Sequence, residues 1–219
     1  MIDAAWKITD APTILAAREH GARESLRRML SPSGSGSGQR SDPPPQCERA
    51  TELLRRGAAA ARGDGRALFS GLRSLGFPGD PIGDLWRAAD LVREHRGDSH
   101  INAWTAHGFD ATEISLITEA YMGIPMRSYS RSRAWRDADF DAALERMSAR
   151  GLFKDGEITQ EGIDAREAVE VSTDLQEASI IDAIGADFDE LCTILEGYAA
   201  AILEQKGYPA APGQIMGRR

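Results

Sequence analysis

The sequence predicts a mainly α-helical fold in which a winged helix-turn-helix, with a short β-hairpin as its wing, is flanked by long helices. Three observations predict it. Capped apolar runs at helical spacing follow one another from Leu85 onward. A helix ending in Arg150-Gly151 leads into two short β-type runs joined by Asp155-Gly156, a pairing that strongly favours a tight hairpin. Thr159 then opens a long helix on a Thr-x-x-Gly run.

Taken in order, residues 1–30 hold one helix, with Asp10 as its cap, Pro12 in its first turn and Ile14, Leu15, Leu26, Met29 and Leu30 as apolar positions. Residues 31–46, "SPSGSGSGQRSDPPPQ", are a Gly/Ser tract ending in three prolines and read as a flexible linker. Residues 47–83 form an Arg- and Ala-rich helical segment, broken around "RGDGR" by its glycines. The winged-helix domain is expected over residues 84–160. Within it, "LWRAADLVREH" is a helix that stops at Gly97, and "DSHINAWTAHG" restarts with Asp98 or Ser99 as its cap. "DATEISLITEAYMG" is capped by Asp110 with Glu113 completing a capping box. "DADFDAALERMSARG" starts at Asp137 or Asp139 and buries Phe140, Leu144 and Met147. Residues 161–208 supply two further helices, the last with Phe188, Leu191, Leu195, Tyr198 and Ile202 on one stripe, and residues 209–219 are a tail.

Charge is unevenly placed. The chain carries a net charge of −8, with twelve Arg/Lys against eight Asp/Glu in residues 1–79 and fourteen against twenty-six in residues 80–219. Inside the acidic part lies "RSYSRSRAWR", residues 127–136, with four arginines and no acid. An acidic body repels nucleic acid, so contact with DNA has to rest on this island. Cys47 and Cys192 form no CxxC or finger spacing, which argues against a disulfide framework or a cysteine zinc site and for a reducing cytoplasm. No apolar run approaches the length of a bilayer span, and "MIDAAWKITDAP" lacks the features of a signal peptide.

The run "LERMSARGLFKDGEITQEG" resembles the recognition helix and wing of MarR-like winged-helix proteins. More narrowly, "LWRAADLVREHRGDSH", "RAWRDADFDAALERMSARGLF", "GEITQEG" and "EVSTD" resemble the motifs of an actinobacterial helix-turn-helix family, over about residues 84–208. The resemblance implies a DNA-binding-like domain and a dimer formed through terminal helices. It also implies that the segment around Trp6 to Leu30 is the remnant of a longer helical domain.

Two readings of the arginine stretch stand. In the first, Arg131, Arg133 and Arg136, with Lys154 at the wing tip, contact phosphates of duplex DNA. Against it stand Asp137, Asp139, Asp141 and Glu145 on the recognition helix, because phosphates repel acids there. In the second, Arg131 or Arg133 latches onto Glu170 or Asp174 of the long helix, where Glu167, Glu170 and Asp174 share a face. "EHRGDSH" places His95, Asp98 and His100 close in sequence; the bland account is a capped helix corner, the sharper one a ligand or metal contact at His100. The expected function is a DNA-binding or ligand-responsive regulator, with His100, Glu170 and Asp174 as candidate effector contacts. The alternative is a winged helix without DNA binding, acting in protein interaction or small-molecule binding. No nucleophile elbow, Walker loop or dinucleotide fingerprint is present, so neither an enzyme nor a cofactor is expected, and the expected partners are duplex DNA, a small effector and a second copy of the chain.

Overall fold

A computed structural model describes residues 7–30 and 43–207. The described chain is mainly helical, with one two-stranded antiparallel sheet. It divides into two compact units. Of the linker expected at residues 31–46, residues 31–42 lie outside the described residues, as do Trp6 and the tail at 209–219.

The first unit contains α1 (Ala11–Leu30), α2 (Cys47–Ala60), most of α3 (Ala67–Arg73), the beginning of α4 (Pro81–Ala106), nearly all of α8 (Ala178–Ile184) and all of α9 (Phe188–Glu204). Leu53, Phe69, Ala88 and Ile180 sit at its centre and are removed from water. Arginines on α1 tie it into this unit: Arg18 forks onto Asp90 at 2.7 and 2.9 Å, and Arg23 and Arg27 share Asp80 at 2.6 and 2.9 Å. The stripe on the last helix faces inward. Leu191 is buried, and Phe188, Leu195 and Tyr198 pack against the same core, so this surface is occupied by its own unit. Cys47 and Cys192 are both free thiols.

The second unit contains the end of α4, α5 (Ala111–Tyr121), a 3-10 turn (Ser130–Arg133), α6 (Asp137–Ala149), β1 (Phe153–Lys154), β2 (Glu157–Ile158) and α7 (Gln160–Leu175). Phe140 and Met147 from α6 meet Leu116 and Ile117 from α5 and Val169 from α7, all fully buried. Each large side chain so buried is worth about 1.5–3 kcal/mol. The strands pair Phe153 with Ile158 and Lys154 with Glu157, and Asp155 and Gly156 both take positive φ, as a two-residue hairpin turn of this twist requires. Thr159 caps α7 by accepting from the Gly162 N–H at 3.1 Å. At Gly162 a Cβ would stand 2.4 Å from the Leu152 carbonyl oxygen, so only glycine lets α7 begin this close to the hairpin.

One expected break is absent. Residues 85–106 belong to one continuous helix, with Gly97 in its interior and neither Asp98 nor Ser99 acting as a cap. An interior glycine costs only about 1 kcal/mol. That cost is offset by contacts made on the same turn: Ser99 Oγ donates to the His95 carbonyl, Arg66 Nε donates to Ser99 Oγ at 2.9 Å, and the Gln176 amide donates to the Ser99 carbonyl at 3.0 Å.

Candidate nucleic-acid interface

Two consecutive helices, α5 and α6, pack through their apolar faces and are followed directly by the hairpin. Asp110 caps α5, accepting from the N–H groups of Thr112 and Glu113 at 2.8 Å, while Glu113 accepts from the Asp110 N–H at 3.0 Å. This is the capping box that the spacing predicts. Arg146 of α6 then closes on both acids, at 2.9 Å to Glu113 and 2.5 Å to Asp110, which fixes the two helices to each other.

Helix-turn-helix units commonly use a turn of three or four residues. Here the connection runs from 122 to 136 and includes the whole arginine stretch. It is organised from inside by Glu119, which has no solvent exposure. The carboxylate of Glu119 accepts the backbone N–H groups of Arg127 at 2.5 Å and of Tyr129 and Ser130 at 2.8 Å each. Sequence reasoning missed this residue, because nothing about an acid in an amphipathic helix marks it as the anchor of a loop ten residues away. Arg127 and Ala134 take left-handed backbone conformations, with φ of 64° and 61°. Trp135 packs against the core beside Phe140, as a core residue rather than an exposed stacking platform.

The arginines find their acids on α6 and not on α7. Arg131 pairs with Asp137 at 2.5 Å, Arg127 with Asp141 at 2.7 Å, and Arg136 with Asp139 at 2.8 Å. The expected latch from Arg131 or Arg133 to Glu170 or Asp174 is therefore not made. Its physical reason is proximity in sequence: the acids that follow the loop are reached at little cost in chain entropy, and Glu170 is already saturated. Arg166, four residues before it on the same helix, donates to Glu170 Oε1 at 2.7 Å, and Arg96 donates to Oε2 at 2.8 Å. Glu167 accepts from the Tyr121 hydroxyl. Asp174 stays largely exposed, 3.8 Å from Arg96.

Although paired, the arginines of the loop remain in contact with solvent. The side chains of Arg131 and Arg136 are 53% and 81% exposed, so their ion pairs are of the solvent-screened surface kind. Arg133 lies over the Tyr129 ring and donates to its hydroxyl at 3.2 Å; among the described residues it has no carboxylate partner. Lys154 is exposed on the hairpin opposite Glu157. At the start of α6, hydrogen bonds from the Arg136 side chain and backbone hold the Asp139 carboxyl down at about 2, against an ordinary 3.8.

The histidines of "EHRGDSH" do not converge on a common point. His95 is buried and donates from Nδ1 to Glu177 at 2.8 Å. His100 Nδ1 lies 3.1 Å from Thr173 Oγ1, whose own hydroxyl donates to the Val169 carbonyl, so the imidazole is the donor. Burial lowers the pKa of His100; Glu170, 3.7 Å away, opposes the shift while Arg166 and Arg96 reinforce it. His107, which has no partner legible in the sequence, meets Ser172 Oγ through Nε2 at 2.8 Å. Among the described residues no group of three or more His, Cys, Asp or Glu is placed to hold a metal ion, and no helix is long and apolar enough to cross a membrane.

A family model described as a helix-turn-helix family matches residues 1–209. The likeness is thus not confined to residues 84–208: it takes in α1 and the Ser/Gly tract as well. No curated protein and no solved structure matches the chain. With this match over two packed consecutive helices, the chain belongs to this helix-turn-helix family.

Proposed function

We propose that the chain is a DNA-binding transcription regulator of MarR-like winged-helix type, with α6 as the recognition helix and the β1–β2 hairpin as its wing. The observation that carries this reading is the exposed arginine cluster on the connection leading into α6. In that position Arg131, Arg133 and Arg136 lie where a winged helix meets the phosphate backbone, and Lys154 adds a contact from the hairpin. The ion pairs to Asp137 and Asp139 are kept on binding, since each exposed guanidinium has five N–H donors and those not used by the aspartate are open to a phosphate. Titration of a mixed-sequence duplex at low and at high salt tests the reading. Binding that weakens steeply with salt supports it, and no binding at low salt overturns it.

A second reading, a helix-turn-helix used as a protein-interaction module, is favoured by one specific observation. Residues 95–178 carry nine Arg/Lys against sixteen Asp/Glu, a net charge of −7 on the stretch that holds α5 and α6. Under this reading the protein binds a Lys/Arg-rich peptide under the same low-salt conditions and leaves DNA free.

A further inference from the structure

We propose that Glu145 is the base-reading residue of this helix-turn-helix and that it selects cytosine, an inference that rests on the DNA-binding reading above. On α6 the inner side is set by Phe140, Ala143 and Met147, all fully buried. Directly opposite, at helical spacing, stand Ala138, Ala142, Glu145 and Ala149, all exposed. Three methyl groups let the helix backbone come close to base edges. Glu145 is the one polar side chain at the centre of that face.

The neighbouring charges are otherwise engaged. Asp137 and Asp141, at the edge of the face, pair with Arg131 and Arg127, Asp139 pairs with Arg136, and Arg146 is held by Glu113 and Asp110. Glu145 has no ionic or hydrogen-bonding partner among the described residues. The arginine stretch thereby neutralises the acids at the start of the helix and leaves one free carboxylate further along it.

An ionised carboxylate only accepts hydrogen bonds. In the major groove the donors are the amino groups of cytosine N4 and adenine N6. Adenine sets its N7 acceptor beside N6, against the second carboxylate oxygen. Cytosine sets only an apolar C5–H there, so it is the better partner. Thymine O4 and guanine O6 and N7 are acceptors and repel the group. The methyls of Ala138 and Ala142 suit thymine methyls, which makes the preferred strand pyrimidine-rich around a central cytosine.

The test uses the full chain on a pool of randomised duplexes, followed by titration of the recovered site and of the same site with the cytosine replaced by thymine. The expected result is a recovered cytosine whose replacement weakens binding about tenfold. Glu145→Gln moves the preference at that position to adenine, which a glutamine reads at N6 and N7, and Glu145→Ala abolishes the preference while tightening binding to random duplex. Because Glu145 is exposed, both variants keep the wild-type melting temperature. Salt-dependent binding with no base preference, or a cytosine preference that survives Glu145→Gln, overturns this inference and leaves the DNA-binding reading standing. No binding to any duplex overturns both.

Discussion

At Glu119 a carboxylate shut away from water gathers three backbone N–H groups of the arginine loop. Glu119→Gln keeps an acceptor for Tyr129 and Ser130 but turns an amide donor toward the Arg127 N–H. The expected loss of stability is about 1–3 kcal/mol, with faster amide exchange confined to residues 127–130, as read by denaturant melts and hydrogen exchange. Ala134 sits in a left-handed conformation that suits glycine, so Ala134→Gly is expected to stabilise the protein by about 0.5–1 kcal/mol in the same melts. The Arg136–Asp139 pair gives an acid-side signature. The folded pKa of Asp139, about 2, lies below its ordinary 3.8, so the stability it contributes is complete above about pH 4 and is lost as the pH falls toward 2. Asp139→Asn removes that part of the pH dependence, which acid melts of the two proteins compare. At this scale the sequence was informative about short-range pairs, such as the Asp110–Glu113 capping box, and silent about Glu119. Its partners are backbone groups of a loop whose path depends on tertiary packing.

Among the elements, the hairpin and α7 depend on Gly162. Gly162→Ala forces a methyl against the Leu152 carbonyl and Ile158, and the expected cost is about 1–3 kcal/mol by thermal or denaturant melts. The hairpin, its Asp155-Gly156 turn and the Thr159 cap were all legible, because turn and cap chemistry is local. The continuity of α4 was not. Gly97 has the look of a helix stop, yet the turn around it is held by Arg66 and Gln176, residues more than thirty and more than seventy positions away. The stripe on α9 was legible as apolar, but periodicity does not say whether such a stripe meets its own core or a second copy. Here it meets its own core.

For the whole molecule the question is electrostatic: a chain of net charge −8 carries four arginines on one exposed connection. The sequence made both the island and the opposing acids visible. It could not show that each acid near the start of α6 is matched to an arginine of the preceding loop, since that matching depends on where the loop folds. Under the proposed function this matched surface binds duplex DNA through its arginines. The most direct measurement follows the anisotropy of a labelled duplex titrated with the full chain across a salt series, for the wild type and for Arg131→Ala with Arg133→Ala. The expected result is a linear fall of log affinity with log salt, with the slope reduced by about one for each lost phosphate contact in the variant. A wild-type protein that leaves the duplex free at low salt, or a variant with the slope unchanged, contradicts it.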